Sequence, residues 1–510
     1  MRLSIKRNLI ANYASQLYVM VIGVVMAPVY LSYMGQEAYG LIGFFIVMGA
    51  WFQLLDIGLT PTLVRETARF RGGAISVNTL RSLLRALEFF FGIVSVTGGA
   101  LIVLSSKSIA TDWLKVQYLP IEDVAQAIVL MGLAIPLRWI AGLYRSVVNG
   151  FEQQVWLGGY NIAIATLRFI GVLGIFKILG ATPENFFAYQ LALAAIELGG
   201  LALMTYRLVR RGSTPREKFS WTPFRNNLAF SLTIAFTSTV WLALIQTDRM
   251  VLSKTLTLSA YGVFSIAIVA AATVSALNGA LGQAVLPRMT KFMAESDTGG
   301  MLNLYHNATQ MACVIAAPVV ATLAFFANPV LMAWTGRPNI AHQAAPILAL
   351  YAIGNGLAWL SSFPYYLQYA KGNLRLHLIG NTIQLLFLVP LIFLAAERYG
   401  PVGTGTVWAV SNALFFLIYT PIVHARFIPR IHWKWLFRDI FPIVAPVAAA
   451  GGLLSYILHW PKERWLIFFQ IGAIGLLLLA IAALSSSIIR NRLLGFFKPG
   501  KHTQRADGVL

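Results

Sequence analysis

Charge is scarce in this chain. Only 11% of its 510 residues are Asp, Glu, Lys or Arg, against roughly 25% in a soluble domain. Cysteine is scarcer still. Cys313 stands alone, inside an apolar run, so no disulfide within the chain and no cysteine-based metal site can form. Long polar stretches are missing too, and no region reads as a separate soluble domain or a low-complexity tail. There is no Gly-rich Walker loop with its lysine, which excludes P-loop ATP hydrolysis. There is no Gly-x-Ser-x-Gly or His-Glu-x-x-His string, and His306, His377 and His424 are well separated. Nothing marks a catalytic centre, and no cofactor is expected.

What the chain does have is apolar sequence. Hydrophobic residues make up 58% of it, in long runs from end to end. That pattern places it in the membrane, where a helix needs about 20 apolar residues to cross. Fourteen candidate spans result, at 9–33, 39–63, 84–106, 123–144, 157–179, 185–206, 228–252, 259–286, 303–327, 344–370, 374–396, 401–423, 438–459 and 465–488. The fold class expected is therefore all-α and integral to the membrane. The opening "MRLSIKRN" and its apolar sequel imitate a signal peptide, but the apolar stretch is too long and more spans follow. It reads as a retained first helix.

The formal net charge of +21 suggests nucleic acid at first sight. The loops give another reason. With the N-terminus cytoplasmic, most of the 39 Lys and Arg fall in inside loops, as the positive-inside rule requires. The inside groups are Arg65, Arg69, Arg71, Arg81 and Arg85, then Arg207, Arg210, Arg211, Arg216, Lys218 and Arg225. Arg426, Arg430, Lys434 and Arg438 follow, and then the tail from Arg490 to Arg505. Both termini are thus expected in the cytoplasm, and no nucleic-acid partner is expected. The outer loops are short, the longest running from Lys107 to Asp123. A membrane glycosyltransferase or polymerase would carry a sizeable outer loop, so an enzyme is not expected.

One string is written twice. "LSYMGQEAYGL" begins at Leu31 and "LSKTLTLSAYGVF" at Leu252, with Tyr39 and Tyr261 222 positions apart. The match extends to "GLTPTLVR" from Gly58 opposite "GQAVLPR" from Gly282, and to Arg69 opposite Lys291. The ends of spans 1 and 2 thus correspond to those of spans 7 and 8. The unit is six helices, and an even number returns the chain to its starting side. Two parallel repeats follow, an arrangement typical of transporters with the substrate between the lobes. The expected organisation is a first lobe over 1–225, a second over 226–430, and two further helices with a tail over 431–510. The doubled string itself reads as the outer hairpin turn of each lobe.

Ionisable groups at mid-bilayer cost roughly 2.5–3.5 kcal/mol each, so they face a cavity or a partner. Here they are Asp56, Arg138, Arg168, Glu197, Asp248 and Arg249, with Arg65, Arg145 and Arg288 at cytoplasmic span ends. Arg138 and Arg145 are two turns apart and share a helix face. Arg168 and Glu197, on neighbouring spans, are either a structural ion pair or a pair lining the cavity. Guanidinium holds phosphate in a bidentate fork and stays charged when buried. Arg138, Arg168, Arg249, Arg145, Arg65 and Arg288 are therefore candidates to bind an anionic cargo. Asp56, Glu197 and Asp248 are candidates for ion coupling or ion pairing. Adjacent Asp248 and Arg249 point about 100° apart and cannot share one simple role. Asn278, Asn355, Asn381, Gln384 and Asn412 either bind sugar hydroxyls or bond between helices. Trp51, Trp241, Trp359 and Trp408 either stack on sugars or anchor in the membrane.

Several strings resemble a known family. "NLIANYASQ", "GQEAYGL" and "LLDIGLTPTLVRETAR" are similar to the start of the bacterial polysaccharide flippases. These are the O-antigen and exopolysaccharide (Wzx-type) translocases of the multidrug/oligosaccharidyl-lipid/polysaccharide exporter superfamily. "TDRMVLSKTLTLSAYGVFSIA", "WTG" at 334–336 and "ERYGPVGTGTVWAV" at 397–410 resemble later family strings. The resemblance implies two six-helix lobes in a V, here with two extra helices, in a bacterial inner membrane. It implies as cargo an oligosaccharide on a polyprenyl diphosphate, moved from the cytoplasmic to the periplasmic leaflet. It also implies alternating access coupled to H+ or Na+, with membrane lipid as surroundings and polysaccharide polymerase and chain-length proteins as partners. A drug or metabolite antiporter and a peptidoglycan-precursor flippase are the alternatives within the superfamily.

Overall fold

The computed structural model describes residues 2–209 and 222–496. Arg210, Arg211, Arg216 and Lys218 of the inside basic groups, and Lys498, Lys501 and Arg505 of the tail, lie outside the described residues. The described chain is helical almost throughout. Its one extended feature is an isolated bridge between Lys115 and Thr257. Among the described residues, eleven helices are long and apolar enough to cross a membrane. The all-helical membrane architecture read from the apolar runs is therefore observed.

The main elements in order are α1 Arg2–Phe52, α2 Leu59–Arg71, α3 Val77–Leu104 and α4 Ile121–Gly150. Then come α5 Gln154–Leu179, α6 Pro183–Val209, α7 Thr222–Thr255, α8 Leu258–Ala294 and α9 Thr298–Phe325. α10 Pro338–Ala370, α11 Arg375–Phe427, α12 Ile431–Ile457 and α13 Arg464–Ser485 complete the set. Polar side chains set several starts. Ser76 Oγ accepts the Thr79 N–H at 3.1 Å before α3, and Asp297 accepts the Gly300 N–H at 2.7 Å before α9, which satisfies N-terminal donors the helix leaves open.

Two long helices contain a non-helical residue. Gly35 (φ 84°) divides α1, and Gly400 (φ 57°) divides α11. A third break follows α1, where Asp56 ends a tight 3₁₀ turn and Ile57 (φ 47°) and Gly58 (φ 69°) are both left-handed. Glycine tolerates that region, but a β-branched isoleucine there is strained. The breaks thus fall at left-handed positions, while Pro28, Pro136, Pro318 and Pro390 sit inside continuous helix.

The chain forms two compact units. One comprises Met1–Ala270 and Leu378–Val407, the other Ala271–His377 and Trp408–Leu510. In the first, α4 is the central helix. Ala141 and Val148 pack with Leu157 of α5 and Leu201 of α6 in a buried cluster. Trp139 lies 4.1 Å from Phe91 of α3 in a stacked pair, with Phe52 edge-on at 5.4 Å. The doubled string is also here. Tyr39 and Tyr261 are buried, and Ser259 Oγ lies 2.9 Å from Gln36 Oε1.

In the second unit α12 and α13 are tied to α9. Asp439 is fully buried and bonds His306, while Gln310 Nε2 donates to it at 2.8 Å. Gln310 Oε1 accepts from Ser486 and Ser487 at 3.0 and 3.1 Å. Trp435 donates to Thr309 at 2.8 Å, and Tyr305 bonds His424 at 2.7 Å. Asn278 and Asn355 prove to be interhelical hydrogen-bonders. Asn278 accepts from Ser362 and Tyr366, and Asn355 accepts from Trp408 at 3.1 Å.

Candidate functional site

The first unit contains a cavity of about 890 Å³. Its wall is built from the end of α1, the turn into α2, the middle of α4 and a stretch of α7. Gln53, Asp56, Arg138, Arg145, Trp241 and Gln246 are among its polar and aromatic lining. The size suits a ligand well beyond a single ion.

Arg138 and Arg145 reach the wall because seven residues of α4 bring the helix back to the same face. Arg138 Nη2 donates to Gln190 Oε1 at 2.6 Å, and its guanidinium stands 5.0 Å from the centre of the Phe45 ring. Its Nε is buried without a partner. Arg145 donates through Nη1 to Asn161 Oδ1 and through Nη2 to Glu197 Oε1 at 2.6 Å. The other Glu197 oxygen accepts from Arg168 Nη2 at 2.5 Å. Glu197 thus bridges two arginines from α4 and α5 while nearly buried itself, its side chain 9% exposed. Arg168 lies in a π-helical turn, Leu167–Gly171, a local widening that recurs at functional positions.

Asp56 lines the same cavity. Its carboxylate accepts the Thr60 N–H at 3.1 Å and bonds the Thr60 hydroxyl, which caps the start of α2. On the wall itself Arg138 and Arg145 stand against Asp56, and behind it Arg168 offsets Glu197, so positive charge is in excess. Such a wall attracts an anion and disfavours a cation.

The structure therefore groups Arg138, Arg145, Arg168, Glu197 and Asp56. Arg65, Arg249, Arg288 and Asp248 are not on this wall. Arg65 is 45% exposed and lies 3.7 Å from Glu66. Asp248 is buried and accepts the Arg249 backbone N–H at 2.8 Å. Arg288 is exposed and belongs to the second unit. Of the four span tryptophans, Trp241 is the one in the lining.

Glu66, Asp439 and Glu37 are buried acids that the sequence does not single out, and Glu37 has the most backbone partners. Glu37 is 6% exposed and accepts the backbone N–H groups of Gln117, Tyr118 and Leu119 at 2.6, 2.8 and 2.8 Å. The signal was present. Glu37 stands in the doubled string, where its counterpart 222 residues on is Ser259, so it is an acid the repeat alone does not require.

Residues 5–293 match the protein family described as "Polysaccharide biosynthesis protein". The chain belongs to this family. It is 21% identical to the "Putative O-antigen transporter" of Shigella flexneri, over 76% of this chain and 89% of that one. It is 22% identical to the "Uncharacterized membrane protein EpsK" of Bacillus subtilis (strain 168), over 87% of each. Among solved structures it is similar to the lipid II flippase MurJ in an inward closed conformation. That match has a TM-score of 0.70 and 14% identity, and covers 96% of this chain and 99% of that one. The resemblance to polysaccharide flippases read from the short strings holds, and the fold is of the kind the superfamily uses.

Proposed function

We propose that this protein translocates polyprenyl-diphosphate-linked oligosaccharides from the cytoplasmic to the periplasmic leaflet of a bacterial inner membrane. The observation that carries this reading is the pair Arg138 and Arg145 on the wall of one cavity, backed by the Glu197–Arg168 bridge. A diphosphate is an acceptor-only anion that guanidinium forks hold well. An O-antigen transporter among the relatives supports the same cargo class. The positive wall speaks against a cationic drug as cargo.

Two of the eleven crossing helices are divided at Gly35 and Gly400, and α7 adds another long helix. Counting these supports fourteen crossings, arranged as lobes over 1–225 and 226–430 with a C-terminal pair. Alternating access then carries the cargo between leaflets, driven by H+ or Na+, with Asp56 or Glu197 as the coupling carboxylate. The product is handed to polysaccharide polymerase and chain-length proteins.

The test is export in a deletion strain. Loss of the gene stops surface polysaccharide while lipid-linked units accumulate on the cytoplasmic side. Arg138→Ala fails to complement, with export reduced at least about tenfold, equivalent to about 1.4 kcal/mol. Arg138→Lys restores part of it. Normal surface polymer in the deletion strain, or full complementation by Arg138→Ala, overturns the reading. A gene essential for growth in a strain that makes no surface polysaccharide would instead indicate a peptidoglycan precursor as cargo.

A further inference from the structure

A polar cluster in the second unit takes no part in the transport steps proposed above. It lies where the end of α11 turns into α12. His424 is fully buried, and its Nδ1 stands 3.1 Å from Nδ1 of His432. Its other nitrogen, Nε2, bonds the Tyr305 hydroxyl of α9 at 2.7 Å. His432 is partly exposed, so a proton reaches it from solvent and passes to His424 across the shared bond.

Only one hydrogen fits between two nitrogens at that separation. Neutral rings supply it, one ring donating to the lone pair of the other. One added proton is also accommodated. The His432 Nδ1–H then donates to His424 Nδ1, and the His424 Nε2–H donates to the Tyr305 oxygen. A second added proton puts an N–H on both facing nitrogens and a charge on each of two rings whose centres are 5.3 Å apart, so the contact repels.

The charged groups around the pair are mostly positive. On α12, Asp439 is taken by His306 of α9 and by Gln310 Nε2 at 2.8 Å, while Lys434 and Arg438 are exposed cations. Arg426 of α11 and Arg430 of the turn are exposed as well. The end of α10, packed on the end of α11, carries Tyr365, Tyr366 and Tyr369. Just beyond it, Lys371 Nζ donates to the Phe427 carbonyl at 2.6 Å. The turn itself is held at a cost. Arg430 is left-handed (φ 68°), a region that residues other than glycine adopt under constraint, and the two histidines bracket it.

We propose that His424 and His432 form a proton-operated latch, which closes the α11–α12 turn on α9 with no added proton or one and opens on a second. Its effect on export rests on the transport reading above, which places this turn in the cytoplasm, so that export falls when the cytoplasm becomes acid. The closed pair holds one added proton and the open pair two, so stability of the closed form is lost as pH falls. With free imidazoles titrating near about pH 6.5, the closed form weakens about tenfold between about pH 7.5 and about pH 5.5.

The test reads hydrogen exchange in the full-length protein in nanodiscs, corrected for the intrinsic effect of pH, with α3 as the reference segment. The peptide followed runs from Ala425 to Leu436, whose Ile428, Ile431 and Leu436 amides are hydrogen-bonded. The wild type loses about tenfold in protection over that pH range. His432→Gln keeps a hydrogen-bonding amide but takes no proton, and it loses less than about twofold. Flat protection in the wild type, or an equal fall in His432→Gln, overturns the latch. In cells, a membrane-permeant weak acid lowers export by the wild type more than export by His432→Gln. Equal export by the two overturns the control of transport. Absence of wild-type export at any pH overturns the transport reading and leaves the latch to the exchange result.

Discussion

Glu197 shows what a single carboxylate does in this protein. Each of its oxygens holds a different arginine, at 2.6 and 2.5 Å. Removing one member of a buried ion network leaves charge unpaired, which costs about 3–5 kcal/mol, whereas surface pairs contribute about 0–1 kcal/mol. Glu197→Ala is therefore expected to lose about 3 kcal/mol of stability, measured by unfolding of the detergent-solubilised protein. Adding Arg168→Ala is expected to cost less than the sum of the two single changes, because it removes one of the stranded charges. Arg71→Ala is the reference: its partner Glu152 is 68% exposed, so the loss stays below about 1 kcal/mol. A Glu197→Ala loss as small as that of Arg71→Ala would reduce the bridge to a surface contact. Through the same bridge Arg168 is expected to act without lining the cavity. It holds Glu197, which holds Arg145 on the wall, so Arg168→Lys is a milder change than Arg168→Ala.

At the scale of elements the doubled string has a physical meaning. A Cβ on Gly40 would stand 2.3 Å from the Leu258 carbonyl oxygen, and one on Gly262 would stand 2.1 Å from the Gln36 carbonyl oxygen. Gly40 and Gly262 are 222 positions apart, and so are Gln36 and Leu258. The contact is reciprocal, each copy's glycine meeting the other copy's backbone, as in a self-complementary interface. No side chain fits in either place. Gly40→Ala and Gly262→Ala are each expected to cost about 1–3 kcal/mol through overpacking. Gly92→Ala, where a Cβ meets nothing within 4 Å, is expected to be neutral or stabilising inside α3. Equal unfolding midpoints for the three variants would contradict the crossing. The strings were legible as a repeat, with their spacing, because a repeat is written in the chain. That they touch was not, since periodicity states what one helix presents and not which helix receives it. The same limit hid Arg145–Glu197, 52 residues apart, and His306–Asp439, 133 apart. The charge scarcity made Arg138, Arg145, Arg168 and Glu197 visible as candidates. Their partners Gln190 and Asn161 were not, although they are neutral amides in apolar runs as Asn278 and Asn355 are, because such an amide signals a hydrogen bond without saying to what.

For the whole molecule, the proposed alternating access requires that the cavity open to one leaflet at a time. The crossing of the two strings is the place to look for the moving contact. Around it, Glu37 clasps the backbone of 117–119, Leu258 N–H bonds the Lys115 carbonyl at 2.9 Å, and Trp113 donates to Ser253 at 3.0 Å. These bonds join the chain at 113–119 to α1, to the end of α7 and to the start of α8, all within the first unit. Apolar packing alone tolerates sliding, whereas such directional bonds hold one arrangement or are broken as a set. A transporter that must open here has to part Gln36 from Ser259. Joining them chemically is therefore expected to stop transport without touching the cavity. The protein suits this test, since Cys313, its single cysteine, is buried and competes little for a thiol reagent. Gln36→Cys with Ser259→Cys, treated with a short bis-methanethiosulfonate linker, should lose most export and recover it on reduction. Either single variant under the same treatment should keep it. Undiminished export in the cross-linked double variant would mean that the crossing stays closed throughout, and that access to the second leaflet opens elsewhere.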